Sequence, residues 1–597
     1  MSPRWPTHLP TGVGGLLIRP VTAALLLAAA LHLLWWWLLA NAGGDIAAQD
    51  AWADFARRYP GSAYNLAWYG GMHPVSYSVL SPYVMAIFGV RSTMMVAGTV
   101  SAALLALLLV RSRAVQRPMW PALYGAVALV FNAVSGRATF GLGLMFGLAA
   151  VAVLFTWPAQ WRTRDLRHRV PRASLVGGLA VLATLSSPVA GVFLGVVAAA
   201  LWLTGRHVAA YSIGLPPVVV VALSTWLFPF SGEQPMKLPS TVLPVVLGTC
   251  CWALAPHAWR TVRVGSLVYV VGIIAVWAVP SPIGSNLTRL GLIFGGVVLL
   301  AALASRVPTP RQPKRAVASG GAPAALRTAR ILVAAVAVAS AWQVGVAVAD
   351  AVTSRPDEAW TTDLEPLLAQ LEERDAETSR VEVVPTSSHR EASALAPYVN
   401  LARGWNRQVD AERNPIFYQP ELLTQETYRD WLDRWAVGYV VLPAGPPDEA
   451  GLAEAELVRS GPAYLREVWS DRNWRLYRVT SPTPVADPPG VVTSFDASAV
   501  EMHMPSAGTA LVRVPPSPWL SLVDQNGTPL PIEQPATGAE PSTYDYGCLS
   551  AQQQEPDIPG QPADTWTVLH APRAGTYRIA APYKLPRGTT CPEGTTE

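Results

Sequence analysis

Between residues 21 and 349 the chain passes through eleven apolar runs that contain no Lys, Arg, Asp or Glu. They lie at about 21–41, 92–110, 119–134, 140–157, 174–186, 187–204, 208–228, 241–255, 264–279, 290–305 and 331–349. A helix needs about 20 apolar residues to cross the hydrocarbon of a bilayer. In that medium a helix is the one open-ended element that satisfies its own backbone groups. The pattern predicts a polytopic α-helical membrane bundle of about 11 spans over residues 1–350. Several runs are short, and the pair meeting at Ser186-Ser187-Pro188 reads as one broken helix or as two short ones. The first run is read as a span, because Leu39-Ala40-Asn41 is a weak cleavage site and ten more runs follow.

Charge orients the bundle. Residues 1–350 carry 25 Lys and Arg against 6 Asp and Glu, whereas 351–597 carry 19 against 34. With a cytoplasmic N-terminus, 19 basic residues fall in inner segments, among them Arg111, Arg113 and Arg117 and the series Arg162, Arg164, Arg167, Arg169 and Arg172. Six fall in outer loops: Arg57, Arg58, Arg91, Arg137, Lys237 and Arg289. This bias predicts an N-in topology, and an odd number of spans then places everything after Asp350 outside the cell membrane. Residues 306–330, with PTPRQPKRAVASGGAPAAL at 308–326, read as a basic, disordered cytoplasmic linker beside anionic lipid. The acidic tail has no footprint for nucleic acid.

The exterior part reads as two pieces. Residues 351–481 alternate helical patterns (365–374, 421–435) with strand-like runs (380–385, 437–443, 474–480), the mark of an α/β domain. Residues 482–597 are rich in Pro, Gly and Thr with short alternating strands at 509–514 and 576–580, the mark of a β-sandwich. Cys548 and Cys591 form an even pair in an oxidising compartment, which predicts one disulfide. Cys250 and Cys251 sit inside an apolar run, where adjacent residues do not easily bridge, and read as a pair of small apolar side chains. No Cys/His spacing resembles a zinc site.

Polar chemistry is scarce in the spans. His32 is their one strongly ionisable residue, either a proton relay or a hydrogen-bonding partner for a neighbouring helix. A proton- or sodium-coupled carrier keeps carboxylates at midplane; here they gather outside, at Asp45, Asp50, Asp54 and Glu233, with His73, Lys237 and Arg289. The outer loop 42–91 concentrates them. In IAAQDAWADFARRY, Trp52, Phe55 and Tyr59 share one helical face, and Pro60-Gly61 ends the pattern. This reads as a short helix lying in the membrane interface.

A first span followed by Asp45, a juxtamembrane helix, His73-Pro74-Val75-Ser76-Tyr77, Phe88-Gly89 and Arg91 resembles the start of the GT-C superfamily. These are polytopic glycosyltransferases that use polyprenyl-phosphate sugars, such as protein mannosyltransferases and actinobacterial arabinofuranosyltransferases. The outer loop from Pro280 to Arg289 and the large exterior module are similar in layout. The resemblance implies a sugar donor on a polyprenyl phosphate and a glycan, protein or lipid acceptor in the cell envelope, within a setting of membrane lipids. It implies Asp45 as the carboxylate that takes the acceptor hydroxyl's proton, a role worth about 10²–10⁴ in rate. An Asp before an apolar helical pattern is equally a helix N-cap.

Asp50 is implied as an assistant to Asp45 or as a ligand for a divalent cation, and otherwise belongs to a solvated helix face. Arg289 either grips the lipid phosphate or anchors to headgroups. His73 and Tyr77 are candidates for orienting donor or acceptor, with a structural turn as the other reading of His73. Trp68 and Tyr69 either stack on sugar or form an interfacial aromatic belt. The polar segment from His389 through Arg403 and Trp405 to Asp410 is a glycan contact or a set of ion pairs inside a folded domain. Two further functions fit the long apolar half: a membrane transporter or exporter, and a non-catalytic envelope assembly protein of the same architecture.

Overall fold

The structure, a computed structural model, describes residues 11–39, 43–76, 78–112, 114–157, 166–230, 232–306, 322–353, 363–530, 547–555, 563–585 and 587–591. The first thirteen α-helices are α1 (Thr11–Leu38), α2 (Asp45–Arg58), α3 (Ser81–Phe88), α4 (Val90–Arg111), α5 (Met119–Val134), α6 (Ala138–Thr156), α7 (Leu166–Ser186), α8 (Pro188–Leu203), α9 (His207–Leu227), α10 (Leu238–Leu254), α11 (Arg260–Ala278), α12 (Thr288–Arg306) and α13 (Ala322–Thr353). Each of the eleven apolar runs is therefore helical. The chain divides into two compact units: residues 1–41, 78–229 and 233–352 form one, and 42–77, 230–232 and 353–597 the other.

Among the described residues of the first unit, seven helical segments are long and apolar enough to cross a membrane, so the chain is a multi-pass membrane protein. The other four expected spans fall short by themselves. Helices α5, α8 and α10 have 16 or 17 residues, about 24–26 Å of helix, and α7 opens on the basic sequence LRHRVPR. Ser186-Ser187-Pro188 separates two helices. Ser187 is extended (φ −159°) and Pro188 starts α8, where its missing N–H costs nothing. The carbonyls freed at the end of α7 are taken up by the chain before α3: Ser78 and Ser81 hydroxyls donate to Ser186 O at 2.8 Å, and the Val79 and Leu80 amides to Leu185 O at 3.0 and 2.9 Å. Residues 307–321 of the expected linker lie outside the described residues, and 322–330 are the first turns of α13 rather than linker. His32 donates Nδ1 to Ala28 O of its own helix at 2.7 Å, not to a neighbour. Gly98 of α4 leaves the space its ring fills, since a Cβ there would lie 2.4 Å from Nε2.

The second unit contains α14 (Glu365–Glu372), β1 (Arg380–Val383), α15 (Glu391–Ala394), α16 (Arg407–Arg413), α17 (Gln425–Arg434), β2 (Val437–Pro443), α18 (Leu452–Arg459), β3 (Leu465–Ser470) and β4 (Trp474–Val479). The four strands make a mixed sheet in the order β1-β2-β4-β3, with β1 parallel to β2 and the other pairs antiparallel. Central β2 is buried along its whole length. Alternate residues enter different cores, as the two-residue period of a strand requires. Val381, Val383, Tyr439, Val441 and Leu476 pack with Trp52 and Trp68, while Val440, Leu442 and Tyr477 pack with Tyr428, Trp431 and Trp435. The first loop thus supplies one covering layer of the sheet. It belongs with the C-terminal residues, and α2 is a core helix, not one lying in the interface: Ile46, Trp52 and Phe55 are buried.

Among the described residues from 491 onward the elements are strands: β5 (Val491–Phe495), β6 (Ala499–Met504), β7 (Gly508–Val512), β8 (Ser521–Val523), β9 (Cys548–Gln554), β10 (Asp564–Ala571) and β11 (Gly575–Ala580). They form two antiparallel sheets, β5-β6-β11-β8 and β7-β10-β9. Cys548, at the start of β9, is disulfide-bonded to Cys591, and Cys250 and Cys251 are free thiols.

Candidate functional site

Asp45 is the first residue of α2. The N-cap is Gly44, whose φ of 65° suits glycine, and no side chain caps the helix. Asp45 therefore stands inside the first turn rather than at the cap, where unpaired amides and the helix dipole favour a negative charge. Two contacts fix this turn. Gly44 N donates to Ser388 O at 2.7 Å, and the Trp405 indole donates to Gly44 O at 3.0 Å. Only glycine fits at 43, because a Cβ would lie 2.8 Å from Ser388 O. Inside the helix, Gln49 donates its amide to Asp45 O at 2.8 Å. Asp45 is half-buried.

The clamp comes from the polar segment 386–410. His389 stacks on Trp405 with ring centroids 3.4 Å apart and 12° between planes, and lies 3.7 Å from Glu391 and 3.8 Å from Asp448. Thr386 donates to Glu391 at 2.7 Å. Deeper in the unit, Arg403 donates from Nε and Nη2 to Asp410 at 3.0 and 2.7 Å and from Nη1 to Glu454 at 2.9 Å. Its guanidinium lies 3.9 Å from the centroid of the Phe417 ring. Most of the segment's charge is thus spent on ion pairs inside the fold. Its contact with the start of α2 links residues more than 340 positions apart, which local sequence carries no sign of.

The remaining expected residues separate. Asp50 is half-buried on α2. Five helical positions turn it about 140° from Asp45, so the two carboxylates leave α2 on different sides. Trp68 and Tyr69 are fully buried. Trp68 meets Trp52 edge-on at 5.0 Å and donates to Ala392 O at 3.2 Å; the Tyr69 hydroxyl donates to Gly404 O at 2.8 Å. Neither ring is exposed as an interfacial belt would be, and Trp68 forms part of the lining of a cleft beside α2. They are core residues because their polar tips find backbone partners.

His73 is buried as well, with Nδ1 donating to Ala63 O at 2.8 Å and Nε2 3.2 Å from the Ser517 hydroxyl. Burial lowers its pKa to about 4, so the imidazole is neutral at pH 7. Both ring nitrogens thus meet groups inside the fold. Tyr77 lies outside the described residues. In the other unit, Arg289 is the second residue of α12, after the 3₁₀ turn Gly284–Leu287, half-buried with its guanidinium 5.4 Å over Phe140. Among the described residues no three His, Cys, Asp or Glu side chains cluster so as to hold a metal ion.

A family model described as a domain of unknown function, DUF8823, matches residues 487–596, the all-β piece. No curated protein matches the chain in sequence. Among solved structures the chain is similar to the Archaeoglobus fulgidus oligosaccharyltransferase in complex with zinc and sulfate, with a TM-score of 0.45 and 12% identity, over 71% of this chain and 68% of that one. It is also similar to ArnT from Cupriavidus metallidurans bound to undecaprenyl phosphate, with a TM-score of 0.41 and 14% identity, over 78% of this chain and 98% of that one. Both have the GT-C-like fold.

Proposed function

We propose that the chain is a GT-C-like glycosyltransferase that moves a sugar from a polyprenyl-phosphate donor to a cell-envelope acceptor on the outer face of the membrane, with Asp45 as general base. The observation that carries this reading is the mounting of Asp45. Six residues separate it in sequence from the end of α1 at Leu38. Ser388 and Trp405 hold its turn from the folded unit. A carboxylate on such a support keeps its direction, as positioned acid–base chemistry requires.

In this reading the acceptor hydroxyl attacks the anomeric carbon from the side opposite the departing phosphate. Asp45 takes the hydroxyl's proton as charge develops. Arg289 is assigned to the phosphate, whose oxygens suit the guanidinium fork. The extracytoplasmic placement of the second unit draws support from the positive-inside count and from the Cys548–Cys591 disulfide, since such bonds persist in oxidising compartments.

Asp45→Asn keeps the size and the helix while removing the base. With purified protein and a polyprenyl-phosphate sugar, the variant is expected to lose about 10²–10⁴ in kcat with its melting temperature unchanged. Transfer at the parent rate would remove Asp45 from the chemistry and with it this assignment.

A further inference from the structure

One flank of α2 lines a cleft of about 170 Å³ within the second unit. Asp54, Phe55, Arg58 and Tyr59 form one wall; the rest of the lining includes Trp68, Glu377, residues 396–400 and the turn after β5 at Asp496. Its walls are tied together. Arg58 donates from Nε to Asp54 at 2.9 Å and from Nη1 to Pro397 O at 3.0 Å, with its guanidinium 5.9 Å over the Tyr398 ring. Asn400 is buried and fixed by donating to Phe495 O at 2.8 Å, and Asp496 is held by the Ser498 and Ala499 amides at 2.6 and 2.9 Å. Tyr398 itself is 59% exposed. A second, more open depression, lined by Glu365, Leu368 and Glu372 of α14, shares Tyr398 with the first. The uncovered ring therefore stands on a ridge between two hollows, each bordered by carboxylates.

The chemistry of these groups selects a ligand. Carboxylates are acceptors only, and Glu377 and Asp496 on one side with Glu365 and Glu372 on the other suit a molecule rich in hydroxyl donors. An exposed aromatic face packs against the C–H face of a ring. Anionic ligands are repelled, because the guanidinium in the cleft, Arg58, is already paired with Asp54. A lipid chain would leave the carboxylates desolvated without partners. The volume suits a single ring, below the usual range of drug-sized pockets. The walls are set by hydrogen bonds before any ligand arrives, which keeps the ordering cost of binding small.

We propose that this cleft binds a neutral glycan, with one sugar ring in the hollow of α2 and the next across Tyr398 over α14. This site is separate from the transferase reading, and binding is read without catalysis. The test is isothermal titration of the full-length protein in detergent with a neutral pentose trisaccharide, a neutral hexose trisaccharide, a uronic acid trisaccharide and a Lys-rich peptide. One neutral trisaccharide is expected to bind at about 1 mM, while the uronic acid does not. Tyr398→Ala should weaken that binding about 10-fold or more and Glu377→Gln several-fold, both with melting temperature unchanged. The proposal is overturned if no neutral trisaccharide binds, if the peptide alone binds, or if Tyr398→Ala binds equally well. Loss of transfer in Asp45→Asn without any glycan binding to the cleft would leave the transferase reading standing and this one refuted.

Discussion

Glu382 is fully buried on β1 and its carboxylate oxygens accept no hydrogen bond, while Arg403 comes no nearer than 3.6 Å. Glu454, beside it, takes the better partners, Arg403 Nη1 and the Tyr428 hydroxyl, each at 2.9 Å. Burial, with the charge of Glu454 next, pushes the Glu382 carboxyl well above the ordinary carboxylate range, so it keeps its proton in the fold. In the unfolded chain a glutamate titrates near about 4.3. Its folded pKa is raised, so its stabilising contribution is complete below about pH 4.3 and is lost as pH rises toward the folded value. Glu382→Gln mimics the protonated carboxyl and removes this slope. Thermal unfolding of the variant should match the parent at pH 4 and occur at higher temperature than the parent at pH 8. A parent whose unfolding temperature rises from pH 5 to pH 8 by the same amount as the variant's would mean that Glu382 is ionised in the fold.

At the scale of elements, α2 and the strands it covers behave as one piece. Trp52 and Trp68 are buried with Val381, Val383, Tyr439 and Val441 on one face of the mixed sheet, so removing either indole opens a cavity. Trp68→Ala should destabilise the second unit by about 3–5 kcal/mol. Trp37 on α1 is 78% exposed, and Trp37→Ala should move the same transition by less than about 0.5 kcal/mol. Tryptophan-monitored denaturation of the two variants separates a core loop from an interfacial one, which predicts small effects for both. The clustering of Trp52, Phe55, Tyr59, Tyr64, Trp68 and Tyr69 within 18 residues fits a membrane belt as readily as a core. Which of the two it is depends on partners at 381–441 and 392–404, far along the chain.

For the whole molecule, topology is the property that labelling can test. Cys548 and Cys591 are bonded to each other, and Cys250 and Cys251 are free in α10. Cys548→Ser releases Cys591. A membrane-impermeant maleimide added to intact cells should then label the variant and not the parent, in agreement with an exterior second unit. Labelling that requires permeabilised cells would reverse the N-in orientation. The same substitution should cost about 2–5 kcal/mol of stability, since the bond joins positions 43 residues apart.

The sequence alone determined that the apolar runs of the first 350 residues are helices for a membrane, because uncharged apolar runs have no other way to satisfy their backbones in lipid. It also determined strands such as Val437–Pro443 and the pairing of Cys548 with Cys591, where local pattern and compartment chemistry suffice. Asp45 and the segment 389–410 stood out as polar groups in a sequence, each with two readings. Tertiary structure decided between them: it buried Trp68, Tyr69 and His73, clamped the turn before Asp45 with Ser388 and Trp405, and raised Tyr398 between two acid-lined hollows. These outcomes rest on contacts between residues some 340 positions apart, and side-chain burial at such a distance is fixed by packing, which no local period records.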